Sequence, residues 1–257
     1  VKLTDEERIA SLLQVVDTVN GRVPVIAGSE SNSAVSAAMR TREYVKAGAG
    51  AVMVMPPSFT RPRPSEIVDY YQFIGAAASG VQVIVQDAPA WTGVDLPVAV
   101  LNEVKKLAPN VNAVKVENPP SHQKFLDLKG CGFELIGGYG ALHLMEDIDA
   151  GISSVMCGPA FIDKIGVIWD LRESDSETSW MKFEKLLPIL AFQMSSLDTF
   201  IAAQKQFLYD NGVISSTVVR SPGRALSGHQ MTWLNSLMRR ASRPEVPQAD
   251  YGRGHIE

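Results

Sequence analysis

Short apolar runs rich in β-branched residues alternate along the chain with stretches whose apolar positions recur every three or four residues. The runs are VPVIAG, AVMVMPP, VQVIVQDAP, NAVKVEN, FELIGGYG and ISSVMCGPA, each closed by Gly, Pro or a polar residue. Their composition and length predict six strands. Helical periodicity covers 36–47, 65–78, 97–107 and 142–150, long enough for the crossovers that parallel strands require. After Pro159 the rhythm stops, and the pattern predicts helices over 161–171, 177–192, 196–211 and 228–239. At the front, Thr4 precedes an acidic turn with Glu7 three residues on, the pattern of a capping box. A chain that opens at a helix cap, with no strand before it, is expected to have lost its beginning.

Alternating strands and helices imply a parallel sheet covered by helices. An open doubly wound sheet would advertise a Gly-rich phosphate turn after an early strand, and AGSESNS is not GxGxxG. A (β/α)8 barrel instead gathers functional side chains at the C-terminal ends of its strands. Here those ends read GSESNS, PPSF, QDAPAWTG, KVENPP, GGYGA and CGPAF, polar and rich in Gly and Pro. The segment from Ser242, with Pro244, Pro247, Gly252 and Gly254, has the composition of a mobile tail, and no domain boundary is visible before it.

Composition narrows the function. With 257 residues, 46% of them hydrophobic, the chain can bury one large core. A net charge of -4 leaves no basic patch for nucleic acid or an anionic membrane, so a small-molecule ligand is the better expectation. No apolar run is long enough to cross a bilayer and no leader pattern opens the chain. Cys131 and Cys157 show neither CxxC nor metal-ligand spacing, so no disulfide and no metal site is expected, and a reducing cytoplasm is the default.

Within NAVKVEN stands Lys115, an ammonium in a strand otherwise built for burial. Lys115 either points outward and snorkels to water, or it is a nucleophile, because a desolvated amine favours the neutral form that attacks carbonyls. Met53 and Met55 alternate in their strand as core residues do. His143, in a helical pattern, reads as packing or surface. The RPRP run at 61–64 reads as a rigid loop or a contact for an anion.

Taken together, VPVIAGSESNS, GAGAVMVMPPSF, VIVQDAPAWTG, AVKVEN and GISSV resemble, in order and spacing, the dihydrodipicolinate synthase and N-acetylneuraminate lyase family, over about residues 3–224. The resemblance implies a (β/α)8 TIM-type barrel with extra C-terminal helices. It implies a homo-oligomer, tetramer or dimer, and no cofactor or metal. It places on Lys115 the lysine that forms a Schiff base with pyruvate or another 2-oxo acid. The chain would then divide into a partial barrel at 1–160, running from the second barrel helix to the eighth strand, then the last barrel helix with a C-terminal extension at 161–241, and a mobile tail at 242–257. Two βα units, and the Gly-rich turn that grips the 2-oxo acid's carboxylate, would precede what is present. Three explanations stand open: a fragment, a disordered leading part, or a second chain completing the barrel.

The departures from the family pattern are informative. Gln86 replaces a proton-relaying tyrosine, and an amide cannot titrate. Trp91 stands where lysine-pathway members carry an arginine for a substrate carboxylate, so synthase activity itself is not expected. Val116 follows the lysine and the carboxylate moves to Glu117, which shares a strand face with Lys115. The QDAP and VKVE contexts look more like the branch of L-2-keto-3-deoxyarabonate dehydratase. The expected catalytic set is therefore Lys115, Glu117 and Gln86. The expected substrate-binding set is Ser29, Ser31, Asn32, Asp87, Trp91, Tyr139 and Ser153. The expected function is a dehydratase or pyruvate-dependent aldolase acting through an imine. The alternative is a catalytically impaired paralogue that serves as a binding or assembly subunit.

Overall fold

The computed structural model describes residues 2–242. Beyond Ser242, the expected tail lies outside the described residues. One all-parallel sheet holds β1 (Ile26–Gly28), β2 (Ala51–Val54), β3 (Gln82–Asp87), β4 (Val111–Val116), β5 (Glu134–Gly137) and β6 (Ser154–Val155) in chain order. Sequential parallel neighbours need a crossover after every strand. Helix α1 (Asp5–Val19) precedes the sheet, and Thr4 caps it through the expected box with Glu7. Next, α2 (Ala34–Lys46) joins β1 to β2 and α3 (Pro64–Ala77) joins β2 to β3. The single turn α4 (Pro89–Thr92) and α5 (Val98–Leu107) join β3 to β4, α6 (Ser121–Leu128) joins β4 to β5, and α7 (Leu144–Asp149) joins β5 to β6. The remaining helices are α8 (Ile162–Leu171), α9 (Ser176–Gln193), α10 (Leu197–Asp210) and α11 (Gly228–Ala241). Among the described residues β1 pairs only with β2 and β6 only with β5, so this sheet does not close on itself.

Over β2 to β5 both sheet faces are largely buried, which explains why those strands read as continuous apolar runs rather than alternations, while Ile26 and Gly28 of β1 are exposed. Val52, Val54, Val83, Val85, Val114 and Val116 face the helices and join the main core with Tyr71, Ile74, Leu101 and Phe125. The opposite parity, Ala51, Ile84, Ala113 and Ile136, forms a smaller apolar layer on the inner face, on which Met53 and Met156 pack. Continuing that parity toward the strand ends brings Met53, Gln86 and Lys115 to the same inner side.

Two buried amides tie α9 and α10 to each other and to the segment that follows β6. Gln204 on α10 accepts from the Ala160 N–H at 2.8 Å and donates to Gln193 on α9 at 2.8 Å. This contact requires Gly158, because a Cβ there would lie 2.4 Å from the Gln204 side chain. Among the described residues no helix is long and apolar enough to cross a membrane.

Asp147 on α7 is buried and accepts from Ser121 Oγ at 2.5 Å. Burial pushes its pKa up to about 6, against the pull of the Ser121 hydroxyl and His143. A carboxyl whose folded value lies above its ordinary one contributes stability that is present at low pH and lost as pH rises through the folded value. Asp147→Asn removes this titration. The variant's stability relative to the parent is therefore expected to improve between about pH 4 and about pH 7.5, by on the order of 2 kcal/mol. Urea denaturation at the two pH values measures it, and an unchanged difference rejects the assignment.

Candidate active site

At the C-terminal ends of β3 and β4, Gln86 and Lys115 are register partners on the inner face. The ladder continues one residue beyond β4, where the Glu117 N–H donates to the Asp87 carbonyl at 2.7 Å. This keeps Glu117 extended and on the face of Lys115. Lys115 Nζ lies 2.8 Å from Glu117 Oε1, and the two side chains are only 9% and 5% exposed. Gln86 Nε2 donates to Glu117 Oε2 at 2.6 Å, and the Tyr139 N–H donates to Oε1 at 3.3 Å. The carboxylate is thus held by an ammonium, an amide and a backbone N–H. Removing one partner from such a buried pair typically costs about 3–5 kcal/mol.

The Tyr139 donor comes from an unusual turn. Tyr139, Gly140 and Ala141 have consecutive positive φ values of 49°, 62° and 62°. Left-handed conformations cost non-glycine residues about 1–3 kcal/mol each. The turn directs the Tyr139 N–H at Glu117 and stacks its ring between Trp91, 6.2 Å away, and His143, 5.8 Å away. Gly138, at the start of the turn, lies against Glu117: a Cβ there would fall 2.4 Å from Glu117 Cγ and 3.0 Å from the Val116 carbonyl.

Lys115, Glu117, Gln86 and Trp91 line a chamber of about 590 Å³. Met53 on β2, the segment after β6 with Met156 and Cys157, Ile162 at the start of α8, and Met194, Leu197 and Phe200 at the α9–α10 junction supply much of the rest of its wall. Burial pushes the Cys157 thiol's pKa up, leaving it a neutral, weak donor. Past Gln86, Trp91 and Leu197 a second cavity of about 640 Å³ continues, lined by Arg8, Glu30, Ser31, Asn32, Arg40 and Ser58 among others. Its charges are largely matched within the protein. Arg8 Nη1 meets Glu30 Oε1 at 3.5 Å, Arg40 pairs with Asp5 at 2.9 Å, and Asn32 Oδ1 accepts from the Ser58 and Phe59 N–H groups.

The structure therefore gathers Lys115, Glu117, Gln86 and Trp91, and places Ser31 and Asn32 in the adjoining cavity. The other expected binding residues do not line the chamber. Ser29 is buried behind it, sharing a hydrogen bond with Thr41 Oγ1 at 2.9 Å. Asp87 has the opposite strand parity to Gln86 and is buried 3.4 Å from Lys124 Nζ; burial pushes its pKa up to about 6 against the pull of Lys124. Tyr139 contributes its N–H and its ring face. Ser153 sits just before β6, at the opposite end of the sheet, donating to the Leu135 carbonyl. Met53, read from sequence as core, is half-buried in the chamber wall, and His143 stacks on Tyr139. Met194, Leu197 and Phe200 were not expected here, since helical periodicity does not say over which sheet edge a helix packs. Among the described residues no group of three His, Cys, Asp or Glu side chains is arranged to hold a metal ion.

The model of the dihydrodipicolinate synthetase family matches residues 1–241. The L-2-keto-3-deoxyarabonate dehydratase of Azospirillum brasilense is 29% identical over 247 residues, covering 93% of this chain and 78% of that protein. Among solved structures, a dihydrodipicolinate synthase from Rhodopseudomonas palustris aligns with a TM-score of 0.86 at 22% identity, over 93% of this chain and 81% of that one. YagE, a prophage protein of the dihydrodipicolinic acid synthase family from E. coli K12 solved in complex with pyruvate, aligns with a TM-score of 0.84 at 20% identity, over 93% and 82%.

The contact between Gly138 and Glu117 gives a testable coupling. Gly138→Ala is expected to destabilise the protein by about 1–3 kcal/mol, as overpacking does. In a Glu117→Ala background the added methyl meets less resistance, so the two substitutions should be clearly non-additive. Equilibrium denaturation of the four proteins measures the coupling, and simple additivity would show that the close approach is not felt.

Proposed function

Since the chain belongs to the dihydrodipicolinate synthetase family, we propose that it is a Schiff-base-forming lyase acting on a 2-oxo acid, with Lys115 as the nucleophile. The observation that carries this reading is a lysine buried on a chamber wall with a hydrogen-bonded carboxylate 2.8 Å from its nitrogen. Lys115 gives a proton to solvent and its neutral Nζ attacks C2 of the acid; the C2 hydroxyl of the adduct takes up a proton and leaves as water, giving the protonated imine. The protonated imine withdraws electrons from C3, and Glu117 takes the C3 proton. The resulting enamine expels the C4 hydroxyl, which takes the proton held by Glu117 and leaves as water. Removal of the C4 hydroxyl proton instead breaks the C3–C4 bond. Gln86 cannot exchange a proton; it fixes the orientation of Glu117 through its amide.

Gln86 and Trp91, which replace the family's tyrosine and arginine, support a C–O or C–C lyase over a synthase. The similarity to L-2-keto-3-deoxyarabonate dehydratase supports the dehydration arm, and the pyruvate complex of YagE supports a 2-oxo acid. The six βα units correspond on this reading to six of the eight in a barrel. The protein acts in the cytoplasm as a homo-oligomer, a state supported by exposed apolar side chains such as Phe59 and Phe73.

Borohydride reduction with pyruvate followed by peptide mass analysis is expected to place an adduct on Lys115 and none in Lys115→Arg. Absence of the adduct in the parent would leave the chain as a non-catalytic binding subunit. Glu117→Gln is expected to retain the adduct while slowing exchange of pyruvate C3 hydrogens into heavy water by about 10²–10⁴-fold, the usual loss of a general base. Exchange at the parental rate would remove Glu117 from that role.

A further inference from the structure

The chamber is chemically divided. Its polar side consists of Lys115, Glu117 and Gln86, which hydrogen-bond or pair with one another. The rest of the lining is largely apolar, with Trp91, Met156, Ile162, Met194, Leu197 and Phe200 among its side chains. Trp91, Leu197 and Ile162 are respectively 39%, 48% and 60% exposed, a large apolar area that an occupant would cover. The volume of about 590 Å³ is in the range that takes drug-sized ligands, well beyond the needs of a three-carbon acid.

We propose that the substrate carries an apolar, ring-sized tail on its 2-oxo acid, seated between Trp91 and the start of α10. The proposal rests on the Schiff-base reading of Lys115, which fixes the acid end at the polar side. A hydroxylated tail pointing into the same space would meet mostly carbon and sulfur atoms and find few partners for its hydroxyls. Each stranded hydroxyl lowers affinity by about tenfold or more. An apolar ring instead removes its own surface and that of the exposed wall from water, and can lie against the Trp91 indole. The adjoining cavity does not reverse this choice, because Arg8 faces Glu30, Arg40 faces Asp5, and the Asn32 carbonyl is occupied by two backbone donors.

The test is a competition. The full chain is reduced with borohydride in an equimolar mixture of pyruvate, L-2-keto-3-deoxyarabonate and 4-phenyl-2-oxobutanoate, and the adducts on Lys115 are resolved by mass. The phenyl adduct is expected to predominate. Leu197→Asn and Ile162→Asn, both at exposed positions, should shift the phenyl-to-pyruvate ratio by about tenfold toward pyruvate, the effect of placing a polar group against an apolar ring. Predominance of the hydroxylated acid, or a ratio unmoved by both variants, overturns the proposal while leaving the Schiff-base reading intact. If no acid forms an adduct, calorimetric titration of the same three acids decides. Tighter binding of the phenyl acid retains the apolar seat and withdraws the Schiff base, and equal or weaker binding overturns both.

Discussion

The site depends on one carboxylate held by three donors. Glu117 faces the Lys115 ammonium, the Gln86 amide and the Tyr139 N–H, each from a different part of the sheet's C-terminal edge. A lysine and a glutamate buried together are tolerated only when the pair is close and its remaining lone pairs are satisfied. That requirement accounts for the surroundings: the ladder extended by one residue past β4, the register that brings Gln86 opposite Lys115, and the strained turn that aims a backbone donor inward. The aromatic stack from Trp91 through Tyr139 to His143 supports that turn from outside.

The sheet sets a division of labour. Residues facing the helices are mostly Val and make the core, while residues facing inward become functional as the strands approach their ends. A single residue's difference in parity separates Gln86, in the chamber, from Asp87, which is enclosed with Lys124 on the helix side. The chemistry resides on strands, and the wall opposite comes from the helices that follow β6.

Much of this was legible in the sequence because the signals are local. Six apolar runs read as six strands, and the predicted helices at 36–47, 65–78, 97–107 and 161–171 agree with the observed ones to within one or two residues. The spacing of Lys115 and Glu117 placed them on one face. The two helices outside the predicted patterns, Pro89–Thr92 and Ser121–Leu128, are short, and a short helix carries too few periods to stand out. The site was less legible where it depends on distant packing. Ser29, Asp87 and Ser153 sit in motifs that look functional, yet their orientation is decided by Thr41, Lys124 and the opposite end of β6. Conversely, nothing local marks Leu197 or Phe200 as chamber residues, because the amides of Gln193 and Gln204 that dock those helices act across the fold.

Gly138 has a consequence for history as well as for packing. Its bare Cα is what admits Glu117, since any side chain at 138 would occupy the space of the glutamate's own methylene. A carboxylate at 117 is thus better tolerated where glycine stands at 138. Substitutions just past the ends of two neighbouring strands are then favoured in one order, the glycine first, and losing that glycine is penalised for as long as the glutamate is kept.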